Sequence, residues 1–164
     1  MITHKVQSSY EMAVVLSNQT QPLVETIWLE KTNKPHYFIV RSSPLYTHGI
    51  NYMDTVVAIK IKRTNKNILK KYNIVQMKDY PRVQSVKEHG GYMTLWLNRN
   101  EIGSINLEEI FSTYRESDQF ITTEFENKRI SCAVHIDVYA KIATEMNRRC
   151  ILYHLPDIEF DESI

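Results

Sequence analysis

The stretch LVETIWLEK, residues 23–31, decides the architecture predicted for the first half of this chain. Successive side chains of an extended strand point to opposite faces, so alternate residues share a face. Since apolar side chains occur on both faces, the stretch is typical of a strand in a small closed barrel. One face carries Val24, Thr26 and Trp28, and the other carries Glu25, Ile27 and Leu29.

Similar short segments surround this stretch. They are rich in β-branched and aromatic residues, and prolines fall between them in QTQP and TNKP, as expected for strands joined by turns. Residues 1–91 are therefore predicted to form an antiparallel β-meander or small barrel. The sequence His89-Gly90-Gly91-Tyr92 is predicted to be a tight hairpin turn, because glycine tolerates positive φ angles. This turn would pair the strand predicted at 83–89 with the strand predicted at 92–98. The other strands predicted in the first half are 12–18, 36–43, 55–63 and 68–77.

Residues 92–164 have a different pattern, in which strands alternate with two amphipathic helices. The first helix, 104–117, has Ser104 or Asn106 as its candidate N-cap, and the second, 137–149, has Asp137. The order β-α-β-β-α-β predicts a ferredoxin-like arrangement and an α+β fold class. The two halves are expected to share one core, with a soft boundary near Tyr92. The strands predicted in this half are 92–98, 119–126, 129–136 and 150–160.

Composition and charge restrict the classes of protein to which this chain can belong. With 164 residues and 43% apolar content it fits one domain. Its net charge of +1 gives no overall field towards DNA or an anionic membrane. Cys132 and Cys150 lie in apolar settings, so free thiols in a reducing compartment are expected. With no signal-peptide pattern and no apolar run long enough to cross a bilayer, the sequence predicts a cytoplasmic protein.

Recognised catalytic and metal-binding motifs are absent from the sequence. The six histidines have no HxxxH or HExxH spacing, and the two cysteines are not spaced as a ligand pair, so no metal site is predicted. Four glycines leave no phosphate-cradling loop, and no serine lies in a nucleophile-elbow pattern. No cofactor is expected, and the sequence gives no support to enzymatic activity.

The loop that opens SSPLYTHGINYMDTVVAIKI, residues 42–61, combines residue types that suit either a corner or a site. Pro44 fixes φ, Gly49 tolerates turn conformations, and Asp54 can accept hydrogen bonds from N–H groups of the loop. This structural interpretation is favoured, and a ligand pocket is left open as the alternative. That pocket would be formed by Tyr46, His48 and Asp54.

Local charge is segregated along the chain although the total is nearly neutral. A basic segment, predicted as a hairpin, contains no acidic residue, and the final PDIEFDESI contains no basic one. A structural explanation exists for each segment. Lysines at a sheet edge prevent aggregation, and acidic residues keep a chain terminus solvated. Contacts with nucleic acid or with an oppositely charged protein are the functional alternatives. The residues concerned are Lys60, Lys62, Arg63, Lys66, Lys70 and Lys71, and in the acidic tail Asp157, Glu159, Asp161 and Glu162.

Several stretches together resemble one bacterial family. They are ETIWLE, YFIVRSSPLYTHGINYMDTVVAIK, GGYMTLWL, ISCAVHI and ILYHL, and over residues 12–155 the chain is similar to the domain-of-unknown-function family numbered 4265. The resemblance implies the same fold and carries no established activity. Met53 stands where the family usually has glycine, and His135 where it tends to have an acidic residue. The matching positions are Glu25, Trp28, Pro44, Tyr46, Gly49, Asp54, Val56, Ala58, Ala133 and Val134.

The lack of catalytic motifs and the segregated charge together favour a protein that binds another macromolecule without catalysis. Bacterial immunity proteins and phage-encoded inhibitors belong to this class, so a protein partner is expected. Two alternatives stay open: a small-ligand module that uses the 44–54 loop, and nucleic-acid binding through the basic 60–71 segment. The sequence does not determine the oligomeric state.

Overall fold

The structure is a computed structural model that describes residues 10–17, 23–60, 70, 80–98, 106–126 and 129–153. Two groups of strands organise these residues, and short helices lie between the strands of the second group. The strands are β1 (Tyr10–Ser17), β2 (Leu23–Lys31), β3 (Tyr37–Val40), β4 (Thr55–Lys60), β5 (Pro81–Glu88), β6 (Tyr92–Asn98), β7 (Phe120–Glu126), β8 (Arg129–His135) and β9 (Leu152–Tyr153). The helices are α1 (Leu107–Ile110), α2 (Ser112–Glu116) and α3 (Tyr139–Arg148).

The first five strands close into a barrel in the order β1-β2-β3-β4-β5. Consecutive strands are antiparallel, and a parallel pairing between Val14 and Arg82 joins β1 to β5. The alternation predicted for β2 is present, because Ile27 and Leu29 are buried in the barrel core whereas Trp28 points outward. The barrel predicted for the first half is therefore confirmed.

The remaining strands form a second sheet in the order β7-β8-β6-β9, with every neighbouring pair antiparallel. A hydrophobic core lies between one face of this sheet and the helices. Strands and helices together confirm the predicted α+β class. The core includes Leu95, Leu97 and Cys132 from the strands and Ile142 and Met146 from α3.

The predicted hairpin at residues 89–92 is wrong. Strand β5 pairs with β4 and β1 in the barrel, whereas β6 pairs with β8 and β9, so the two glycines carry the chain from one sheet to the other. Glycine is required because a Cβ at Gly90 would lie 2.2 Å from the Met53 carbonyl oxygen, and Gly91 has a φ of +87°. The local pattern identified the need for glycine but not the destination of the chain.

The helix boundaries also differ from the prediction. The first helix is interrupted at Phe111, whose buried side chain lies between α1 and α2 in the chain. Asn106 is confirmed as its cap, because the side-chain oxygen accepts the Glu109 N–H at 3.3 Å. Asp137 is not the cap of α3, since Val138 occupies that position and no side chain caps the helix there. The Asp137 N–H is instead donated to Nδ1 of His135 at 3.2 Å.

Several predicted elements lie wholly or partly outside the described residues, among them residue 18 of the strand predicted at 12–18 and residues 61–63 of the strand predicted at 55–63. The candidate cap Ser104 is another, and so is most of the strand predicted at 68–77. Lys70 is described and has helical geometry, contrary to that strand. Of the last strand, predicted at 150–160, the structure describes the pairing of Leu152 and Tyr153 with β6.

Candidate functional site

The loop of residues 41–54, between β3 and β4, contains all the candidate ligand residues. On the barrel side it is held by Glu25 of β2, which accepts the Leu45 N–H at 2.9 Å and a short hydrogen bond from the Thr47 hydroxyl. Burial raises the pKa of Glu25, and these hydrogen bonds oppose the rise. The Glu25 carboxylate therefore fixes the backbone at the start of the loop.

A second carboxylate, Asp54, fixes the end of the same loop. Asp54 is fully buried, and its two oxygens accept the N–H groups of Asn51 and Gly90, each at 2.9 Å. Nδ1 of His89 lies 3.4 Å from the same carboxylate. Burial raises the pKa of Asp54, while the two backbone hydrogen bonds and His89 oppose the rise. Because Gly90 belongs to the crossing between the two sheets, Asp54 joins the loop to that crossing.

The other side of the loop contacts the second sheet. The Pro44 carbonyl accepts hydrogen bonds from the Trp96 indole at 2.8 Å and from the Ser131 hydroxyl at 3.1 Å, and both bonds are buried. The Thr94 hydroxyl donates to the Asn51 side chain at 2.8 Å. These donors lie on the sheet face opposite the helices, so the loop covers that face and connects the barrel to the sheet.

Tyr46 and His48 take part in the same contact between loop and sheet. The guanidinium of Arg129 lies over the Tyr46 ring, 4.5 Å from its centroid. The His48 ring packs on Trp96 with 4.8 Å between centroids, and its buried Nε2 has no hydrogen-bond partner among the described residues. Tyr46, His48 and Asp54 thus each contact a different partner. Of the three, we expect the His48 imidazole to contact a ligand most readily, because its Nε2 is available for a hydrogen bond.

The charged candidates are described only in part. Lys60, at the end of β4, and Lys70 are both exposed. The other charged candidates, four from the basic segment and four from the acidic tail, lie outside the described residues: Lys62, Arg63, Lys66, Lys71, Asp157, Glu159, Asp161 and Glu162.

The structure reveals a surface that sequence reasoning missed, on the outside of the barrel. Met12 of β1 is the cross-strand partner of Trp28, and the Arg41 N–H is donated to the Trp28 carbonyl at 2.8 Å on the other side. In the next row along the strands, Glu30 of β2 lies between its cross-strand partners, Tyr10 of β1 and Ile39 of β3. We call these six residues the outer array: Tyr10, Met12, Trp28, Glu30, Ile39 and Arg41.

Two aromatic side chains of the outer array are exposed to solvent. Trp28 is 44% exposed and Tyr10 is 42% exposed, although a large aromatic side chain gains most from burial. The alternation in β2 identified the face that Trp28 occupies. Which face closes the barrel, and hence the exposure of Trp28, depends on strand pairings that one segment does not encode.

Arg41 is held firmly within the outer array. Its Nε lies 3.3 Å from the Glu30 carboxylate, its Nη1 lies 2.8 Å from the Met53 sulfur, and its guanidinium lies 5.5 Å from the centre of the Tyr52 ring. Partial burial alone would lower the pKa of Arg41, but the hydrogen bond with Tyr10 and nearby negative charge outweigh it and raise the pKa. The result is an ordered cation beside an exposed tryptophan.

The part of the chain that the structure describes bears on two kinds of feature, clusters of metal-ligating side chains and membrane-spanning helices. Within those residues, no group of three His, Cys, Asp or Glu side chains is placed to hold a metal ion. Nor does any helix in the same ranges have the length and apolar character needed to cross a membrane.

Comparison with known proteins gives information on the fold alone. No family model and no curated protein matches this chain. It is similar to a solved structure described as a hypothetical protein from Neisseria gonorrhoeae, with a TM-score of 0.56, 10% sequence identity and 96% of each chain covered. The similarity spans nearly the whole of both chains, so it concerns the fold as a whole.

Proposed function

We propose that this protein binds another protein without catalysis and that the outer array is its contact surface. The observation that carries the proposal is the exposed pair Tyr10 and Trp28 beside the ordered guanidinium of Arg41. Tryptophan, tyrosine and arginine are the residues most enriched among those that dominate binding energy at protein interfaces. A rigid sheet also presents them without a large cost of ordering.

The charges of the outer array favour a protein partner over nucleic acid. Arg41 lies beside Glu30, and at the nearby barrel end Lys31 lies 3.7 Å from Glu11. Phosphate binding relies on cationic side chains whose charge is not neutralised by a neighbouring carboxylate. Nucleic-acid binding through the 60–71 segment stays a proposal that this surface does not support.

A small-ligand role for the 44–54 loop is favoured by one observation: the buried Nε2 of His48 has no hydrogen-bond partner within the described ranges. Against it stand the structural tasks of the neighbouring groups, since Asp54 and Glu25 already accept hydrogen bonds from the protein itself. Thermal-shift screening of nucleotides and amino acids tests this alternative. A ligand whose stabilisation disappears in His48→Ala would establish it.

The proposed contact surface is tested by affinity purification from the native host with a matched pair of variants. Trp28→Ser removes the exposed indole, and Ile59→Ser removes a side chain of similar exposure, 39%, elsewhere on the barrel. The wild-type and Ile59→Ser proteins should recover the same stoichiometric protein. Trp28→Ser should lose it, with an affinity about 30-fold weaker if the indole contributes about 2 kcal/mol.

Two results of that experiment would contradict the proposal. Equal recovery by Trp28→Ser and the wild-type protein would remove the outer array from the interface. Recovery of no stoichiometric protein by the wild-type chain would remove the protein partner altogether. Circular dichroism and thermal unfolding of both variants are the control for folding.

We also propose four finer assignments. The strand order β7-β8-β6-β9 with antiparallel neighbours supports a ferredoxin-like second half. Membership of the family numbered 4265 and a role as an immunity or inhibitor protein rest on the sequence. A cytoplasmic location is supported by the free thiols of Cys132 and Cys150.

A further inference from the structure

Met53 adopts a backbone conformation that its side chain makes unfavourable. Its φ is +68°, in the left-handed region where Cβ crowds the backbone and where glycine is the favoured residue. Such strain persists only when the surrounding structure enforces it, and it is concentrated at functional positions. The side chain of Met53 therefore requires an explanation of its own.

The backbone contacts of Met53 do not provide that explanation. Its N–H is donated to the Val40 carbonyl at 2.8 Å, and its carbonyl lies against Gly90. A glycine at position 53 would make both contacts and would adopt the same φ without strain. What glycine would lack is the thioether.

The thioether contacts the guanidinium of the outer array. The Met53 sulfur lies 2.8 Å from Nη1 of Arg41, while Glu30 lies against Nε. A polarisable sulfur accepts hydrogen bonds weakly and adapts to irregular space, so it supports a cation without neutralising it. Glu30 and Met53 contact different nitrogens of the guanidinium, which restricts its rotation.

We propose that Met53 is a positioning residue that holds the Arg41 guanidinium in the orientation used for partner binding. This inference rests on the proposed function of the outer array. Holding a long side chain before association removes an ordering cost of about 1 kcal/mol, which corresponds to about a five-fold gain in affinity.

Three substitutions separate the thioether contact from backbone strain. Met53→Gly removes the contact and the strain, Met53→Leu removes the contact and keeps the strain, and Met53→Gln keeps the strain and supplies an oxygen acceptor. The glycine variant should unfold about 3 °C above the leucine variant. ¹⁵N relaxation of the Arg41 Nε–H group should show increased motion in the glycine and leucine variants and wild-type order in the glutamine variant.

Affinity for the recovered partner provides the second measurement. The glycine and leucine variants should bind about five-fold more weakly than wild type, and the glutamine variant within about two-fold of it. Unchanged Arg41 relaxation, or unchanged affinity with a mobile Arg41, would overturn the inference and leave the proposed function standing. Failure of the wild-type protein to recover any partner would overturn the proposed function, and the binding role of Met53 with it.

Discussion

Replacement of Asp54 by alanine tests whether the loop carboxylates serve the fold. The substitution leaves the Asn51 and Gly90 N–H groups without the buried acceptor that each now contacts at 2.9 Å. An unsatisfied buried donor costs about 1–3 kcal/mol, and because both hydrogen bonds are only partly buried, the two together are expected to cost about 2–4 kcal/mol. Removal of the buried carboxylate offsets part of this cost, because burial raises the pKa of Asp54. The expected net loss in free energy of unfolding is therefore between about 1 and about 4 kcal/mol.

Urea unfolding followed by circular dichroism measures this loss. The midpoint should fall while the dependence on urea stays constant, as expected when stability changes and the compactness of both states does not. Asp137→Ala is the matched control. Asp137 is exposed, and its carboxylate lies 3.5 Å from Nδ1 of His135 in a surface ion pair. Because surface ion pairs contribute little, the free energy of unfolding should fall by less than about 0.5 kcal/mol. A loss below about 1 kcal/mol in Asp54→Ala, or a gain, would refute the reasoning. That result would indicate that the Asp54 carboxylate contributes to ligand binding and not to the stability of the fold.

Further predictions concern the crossing, the thiols and pH. Gly90→Ala should destabilise more than Gly91→Ala, by about 2 against about 1 kcal/mol, because its Cβ would overlap backbone; the reverse order would contradict the crossing. Cys150 is exposed, whereas burial raises the pKa of Cys132 to about 12, so a thiol reagent should modify one thiol in the folded wild-type protein and none in Cys150→Ser. Modification of the folded Cys150→Ser variant would contradict this. Burial raises the pKa of Glu25, so the folded state binds this proton more tightly and loses stability as pH rises from about 4 through the folded pKa. Glu25→Gln should reduce the decline in unfolding free energy as pH rises above about 4 through the folded pKa, and an unchanged decline would exclude Glu25 as its source.

Local sequence patterns predicted the elements of this fold better than their connections. The alternation in LVETIWLEK put Ile27 and Leu29 on one face and Trp28 on the other, because strand periodicity is a property of the strand itself. Only the closed barrel shows that the face of Ile27 and Leu29 enters the core. Gly90 and Gly91 were assigned to a hairpin, since a tight turn and a close crossing both require glycine. Only the partners of β5 and β6, which are distant in sequence, distinguish the two.

The candidate site was predictable to a similar extent. The sequence predicted that Asp54 accepts hydrogen bonds from loop N–H groups, because a short acidic side chain beside turn residues is suited to that role, and the Asn51 N–H does donate to its carboxylate. It gave no sign that Glu25 reaches the loop from β2, or that Arg41 lies beside Trp28. Both contacts join segments that meet only when the barrel closes.

Hydroxyl-radical footprinting of the protein, alone and with the partner recovered from the host, tests the central claim most directly. If the outer array is the contact surface and the loop serves the fold, oxidation of Trp28 should fall several-fold in the complex. Met93, which is exposed outside the array, should react equally in both states, and buried Trp96 should stay protected throughout. Unchanged oxidation of Trp28, with new protection of Tyr46 or His48, would contradict the account.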